Sequence, residues 1–205
     1  VAISTYAELQ SSIADWLNRS DLTAVIPDFI RLAEAELTRN LRHRKMITRS
    51  DANIIDEFTQ TPDDWMQTVN LILKTDPILQ LQYMTPSRLN EERELSLAVG
   101  KPSKYTMIGT EIRVYPPPDG TYAAELVYYA QVPALSDDNT TNWVLNLAPD
   151  IYLYGSLVQS APYLEDDARL SVWSALYQKR IEDIDISNQR TAGQTSVQMQ
   201  TTPLE

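Results

Sequence analysis

WLNRSDLTAVIPDFIRLAEAELTRNLRHRKM, residues 16–46, begins as an amphipathic helix and ends in a knot of positive charge. Leu22, Val25, Ile26, Phe29, Ala33, Leu37 and Leu41 recur three or four residues apart, which puts them on one side of a helix. Pro27 is tolerated only in or near a first turn, because its ring removes an interior hydrogen bond. The helix is therefore expected to start near Thr23 and end near Arg44. Arg39, Arg42, Arg44, Lys45 and Arg49 close the stretch, and no acid lies between Leu37 and Ser50. Two readings fit this cluster: a partner contact, or a solvated helix end.

On the N-terminal side, Thr5 and Glu8 spell a capping box, in which each side chain accepts the other's backbone N–H. Tyr6, Leu9, Ile13, Trp16 and Leu17 then follow at helical spacing, and residues 18–21 read as a turn. On the C-terminal side the texture changes at Met46. Short apolar runs at 69–73 and 78–84 are broken by Asp76-Pro77, and residues 107–115 alternate weakly around Gly109. PPPDG, residues 116–120, is turn chemistry between the strand-like IRVY and YAAELVYY. PSRLNEERELSLA reads as one short helix inside this β-rich region.

Helical spacing returns with Ile151, Tyr154, Val158 and Ala161, between Pro149 and Pro162. A last helix follows, with Asp166 as its cap and Leu170, Trp173, Tyr177, Ile181 and Ile184 along one face. Neither helix pair buries its stripe alone. The expected fold is α+β and mainly α: a four-helix bundle from residues 1–45 and 148–190, a β-rich module inserted at 46–147, and an extended C-terminal arm at 191–205. The arm is too poor in apolar residues to fold by itself, and its alternation suits adding a strand to a neighbour's sheet edge.

Charge and composition narrow the function. The 205 residues carry 28 acids against 17 bases, a net charge of −11. Residues 1–45 balance at six acids and six bases, whereas 46–147 hold fourteen against seven. Such a balance opposes a general nucleic-acid-coating role. With no cysteine, disulfides and thiolate chemistry are excluded. No apolar run is long enough to span a membrane, and the N-terminal residues lack the pattern of a secretory signal, so a soluble protein made in the cytoplasm is expected.

A catalytic centre is not legible. His43 is the one histidine and sits among bases that disfavour a proton-accepting role, so a histidine at the surface of a helix end is expected. Zinc lacks its ligand types, and Asp63-Asp64, Asp137-Asp138 and Asp166-Asp167 read as turns or caps. Gly100-Lys101 lacks the upstream glycine of a phosphate loop. No catalytic, cofactor or metal residue is assigned. Tyr128, Tyr129, Trp143, Tyr152, Tyr154, Trp173 and Tyr177 are expected in the core or at interfaces. Two further readings remain open: a tail-associated receptor- or saccharide-binding protein using Trp65 or Tyr122, and a hydrolase built on two carboxylates.

Several runs resemble one family. Trp16-Leu17-Asn18-Arg19, Asp21-Leu22, residues 26–30 and 32–36, and Leu41-Arg42 resemble the opening helices of head-to-tail adaptor (connector) proteins of short-tailed bacteriophages. Downstream, Pro133-Ala134-Leu135-Ser136, Asn142-Trp143-Val144-Leu145 and PDIYLYG, then YLEDDARLSVW, are similar to the same family's later course. The resemblance implies a virion structural protein without catalytic activity. It would form a ring, typically of twelve copies, beneath the portal protein in the virion neck. The ring would extend the channel for double-stranded DNA and dock the tail nozzle or tail fibres. On that reading Arg39, Arg42, Arg44, Lys45 and Arg49 are expected at a subunit or partner contact. Gln194, Val197, Met199, Thr201 and Leu204 are expected on an arm reaching the portal.

Overall fold

The computed structural model describes residues 3–164 and 168–193. In chain order the elements are α1 (Tyr6–Leu17), α2 (Ile26–Asn40), β1 (Ile47–Ile54), β2 (Phe58–Gln60), β3 (Trp65–Leu73), β4 (Leu79–Gln80), β5 (Gln82–Tyr83), α3 (Pro86–Leu95), β6 (Lys104–Ile108), β7 (Glu111–Tyr115), β8 (Tyr122–Ala130), α4 (Trp143–Leu147), α5 (Pro149–Gln159) and α6 (Leu170–Gly193). The described residues form two compact units, one within 1–45 and 132–193 and the other within 46–131.

In the helical unit, local chemistry sets the ends of the first two helices. Glu8 N–H donates to Thr5 Oγ1 at 3.3 Å and Thr5 N–H to Glu8 Oε2 at 3.1 Å, so the capping box closes. Asn18 stops α1 at φ 53°, a left-handed position that asparagine adopts more readily than most residues. Pro27 lies in the first turn of α2, where its missing N–H has no partner to lose. That helix is shorter than its spacing suggested, ending at Asn40.

The expected four-helix bundle with an inserted β module is not what forms. The fold is α+β, but the described residues contain six α-helices and two four-stranded sheets. The physical reason lies in α5. Ile151, Tyr152, Leu153, Gly155, Ser156 and Leu157 are all buried, and together they cover far more of the circumference than one stripe. A helix buried over so wide an arc sits among several neighbours rather than lending one stripe to a ring of equals. Helix α5 accordingly packs against α1, α2, α4 and α6. Tyr154 and Val158, expected on its buried face, are half-buried. A Cβ on Gly155 would meet Tyr177 at 3.1 Å and Ala33 at 3.2 Å, so α2, α5 and α6 approach one another closely there.

In the β unit, the sheets run β1-β8-β3-β4 and β2-β7-β6-β5, antiparallel except for the β5–β6 pair. Residues 109–110 make the β6–β7 hairpin, with Gly109 at φ +60°, a conformation that favours a residue without Cβ. PPPDG makes no hairpin, because the strands on either side of it belong to different sheets. Strand β8 buries Ala124, Leu126, Tyr128 and Ala130 at every second position. These join Ile54, Leu71, Leu73, Ile112 and Val114 in a core supplied by both sheets. Helix α3 buries Leu89, and the Tyr115 hydroxyl donates to the carbonyls of Glu92 and Ser96 near its end.

Candidate functional site

The runs that carried the family resemblance meet in the helical unit. Glu34 on α2 accepts the Leu135 N–H at 2.8 Å and the Tyr152 hydroxyl at 3.2 Å through the same Oε1. Asn142 Nδ2 donates to Tyr152 Oη at 2.6 Å and to Pro133 O at 2.8 Å, while its Oδ1 caps α4 by accepting the Leu145 N–H at 2.9 Å. The Tyr6 N–H donates to Thr140 O at 2.8 Å. One connected network therefore holds loop 132–142 to α1, α2, α4 and α5. In the sequence these residues form a pattern, and nothing in the pattern says that they touch.

The electrostatics suit scaffolding. Burial pushes the Glu34 carboxyl up, opposed by its two hydrogen bonds. Burial, then the nearby Glu34 charge, pushes the Tyr152 phenol up, so it keeps its proton and donates. Tyr177 is likewise pushed up, chiefly by burial. These hydrogen bonds fix the loop in place.

The basic residues divide into different settings. Arg39 is exposed near the end of α2. Arg42 Nη1 turns back onto that end, donating to Thr38 O at 3.1 Å and Leu41 O at 2.7 Å. Asn188 on α6 pins the next residues, donating to Arg42 O and accepting the Arg44 N–H, each at 3.1 Å. Arg44 and Lys45 are exposed in a 3-10 turn, with Lys45 Nζ 5.9 Å from the centroid of the Trp143 ring. Arg49 belongs to β1, where it pairs with Glu125 at 3.4 Å.

His43 is not the expected surface histidine. Only 4% of it is exposed, its ring stacks on Trp143 at 5.1 Å, and its Nδ1 accepts the Lys45 N–H at 3.1 Å. Burial lowers its pKa, helped by Arg44 and Lys45 and opposed by Asp185. The apolar ring of Trp143 hides it, which helix-end spacing alone does not show.

In the β unit, Glu57 Oε1 accepts from Arg113 Nε at 2.7 Å and from Arg93, and Arg113 Nη1 donates to Asn90 at 2.7 Å. Asp64 accepts the Tyr128 hydroxyl at 2.8 Å, and burial with this bond pushes that phenol up to about 12. Asp137 and Asp138 are exposed loop residues, while Asp166, Asp167 and the arm residues Gln194, Val197, Met199, Thr201 and Leu204 lie outside the described residues. Trp65 and Tyr122 pack against the sandwich core, the Trp65 indole N–H donating to Thr68 and the Tyr122 hydroxyl to Asp119. Among the described residues no group of three or more His, Asp or Glu is placed to hold a metal ion, and no helix is long and apolar enough to cross a membrane.

Two features of this unit are not evident from the sequence reading. Leu95 at the end of α3, and Leu97 and Val99 on the loop after it, are 88%, 82% and 65% exposed. An apolar cavity of about 280 Å³ lies between the sheets, lined among others by Ser50, Ala52, Ile54, Thr59, Ile112 and Leu126. Alternating apolar residues at 95, 97 and 99 are the available signal for the first; nothing local signals the second.

No curated protein matches the chain. The family described as SU10 adaptor protein matches residues 4–201, which take in both units. By that match the chain belongs to the SU10 adaptor protein family, a group of phage head-to-tail adaptors.

Proposed function

We propose that the chain forms a closed ring of twelve copies in the virion neck, docks on the portal protein and presents its far face to the tail nozzle or tail fibres. The family match over residues 4–201 carries this reading. A ring requires one patch to meet a different patch on the next copy, a heterologous interface that closes by rotation. Exposed Arg39, Arg44 and Lys45, opposite an acid-rich neighbour, supply such a contact together with Arg42 and Arg49. Residues 191–205 serve as the arm that reaches the portal. Double-stranded DNA passes through the channel without specific binding, because a chain of net charge −11 offers phosphates few cations with which to displace their counterions.

Native mass spectrometry of the chain alone, and mixed with the portal protein of its virion, tests the proposal. A closed multimer bound to portal is expected. No association with portal, at concentrations where the portal is itself assembled, would overturn it. Reversing Arg44 and Lys45 to Glu is expected to prevent ring closure while leaving the melting temperature of the single chain unchanged.

A further inference from the structure

The β unit displays an exposed apolar segment and an apolar cavity. After α3 the chain is held at two points: the Tyr115 hydroxyl donates to Ser96 O at 2.9 Å, and the Gly100 N–H donates to Pro117 O at 2.8 Å. Between them Leu97 and Val99 stand in solvent, and Ser96 is extended at φ −150° and ψ 127°. Three large apolar side chains in five residues make a concentrated exposed patch, unlike scattered surface leucines. Their exposure also shows that the loop does not occupy the cavity of its own unit.

The cavity has a matching form. It is lined by residues of both β1 and β2, and each of these is the edge strand of its sheet. The eight residues of β1 pair with β8 on one side only, so its other side carries backbone donors and acceptors without a strand partner. Ser50, Ala52 and Ile54 line the cavity at every second position of β1, and the first two are small. Leu97 and Val99 have the same two-residue spacing, so a strand added beside β1 would carry them over that floor, about 6.5 Å apart.

We propose that, in the ring, residues 96–99 of one copy lie along β1 of the next and place Leu97 and Val99 in the cavity between its two sheets. The proposal rests on the ring reading above and names one of its contacts. The occupant is a second copy because the same chain carries an apolar segment that it does not bury and an apolar slot that it does not fill. Different patches meeting head to tail are what a closed ring needs.

The absence of cysteine from the chain makes the test direct. Full-length Leu97→Cys and Ala52→Cys chains are prepared separately, checked for an unchanged melting temperature, mixed, assembled with the virion's portal protein and treated with diamide. A disulfide requires the two Cα atoms to come within about 7 Å. The expected result is a mixed disulfide at least tenfold more abundant than the homodisulfide that either chain gives alone under the same treatment. Ala52→Trp, which fills the slot, is expected to weaken self-association at least tenfold at unchanged melting temperature. A sample whose native mass shows a multimer but which yields no mixed disulfide would overturn this contact and leave the ring standing. A monomer by native mass, alone and with portal, would overturn both.

Discussion

Glu34 in the helical unit and Glu57 in the β unit are both drawn in from solvent, yet they are met by different chemistry. Glu34 faces a backbone N–H and a phenol, and its carboxyl is pushed up by burial. Glu57 faces two guanidinium groups, those of Arg93 and Arg113, with 18% of its side chain exposed. A carboxyl held by uncharged donors takes part in one or two fewer hydrogen bonds when a partner is removed. An ion pair that loses a partner leaves a charge behind. The β unit is therefore expected to be the more fragile of the two to a change of a single polar group.

Glu57→Gln sharpens this contrast most. It leaves Arg113, 10% exposed at its side chain, with Asn90 and the Phe58 ring but without a carboxylate. Breaking a buried pair costs roughly 3–5 kcal/mol, and partial solvent access places this one near the lower end. Urea unfolding followed by Trp65 fluorescence, in a background with the other tryptophans replaced by Phe, would measure it. A loss under about 1 kcal/mol would mean that water already screens the pair.

Tyr152→Phe is the corresponding change in the helical unit. It removes the donor to Glu34 and the acceptor for Asn142, while the ring still fills its place in α5. Groups left unsatisfied cost about 1–3 kcal/mol. Chemical denaturation at pH 7, set beside that of Glu57→Gln under the same conditions, reads the difference. A cost equal to that of Glu57→Gln would remove the distinction between the units.

The pH responses also differ, and His43 sets the first of them. Its folded-state pKa lies below the ordinary 6.5, so the unfolded chain takes up a proton first as pH falls. Its contribution to stability is thus full above about 6.5 and is lost as pH drops through that value toward the folded pKa. Glu34 acts in the opposite sense: its raised pKa costs stability as pH rises from 4.5 through its folded value. In the β unit, Asp51 and Glu92 are lowered by hydrogen bonds to Lys74 and Lys104, and their contributions go only as pH falls below their ordinary carboxylate values. Comparing His43→Gln with the parent chain at pH values about one unit above and one below 6.5 isolates the first effect, since the variant should lose most of the difference.

What can be read from the sequence follows the range of the interactions. Thr5 and Glu8 lie three residues apart, and their capping box is legible because both partners share one turn. Glu34 and Tyr152 are 118 residues apart, so the runs containing them can suggest a family but not a hydrogen bond. Helical spacing on α5 selects Tyr154 and Val158 because a period of 3.6 finds one face, and this helix is buried over a wider arc that leaves those two on its less buried side. PPPDG announces a turn correctly, but which sheet each flanking strand joins depends on pairing with distant β2 and β3. The exposed Leu97 and Val99 follow a helix that stops at Leu95, and a helical reading carried on through Ala98 hides their extended spacing.

The smallest expected effect separates the two readings of the basic cluster. Arg42 lies against the last carbonyls of α2, which carry the negative end of the helix dipole. Arg42→Ala should therefore cost about 0.3–1 kcal/mol, mostly at low salt. Arg44 is exposed, and the bond that holds it runs from its backbone N–H to Asn188, which an alanine keeps. Arg44→Ala should leave stability within about 0.5 kcal/mol of the parent. If ring assembly nevertheless fails in Arg44→Ala, the side chain acts on another molecule. If assembly tracks stability through both variants, the charges serve the end of α2 and the contact lies elsewhere on the ring.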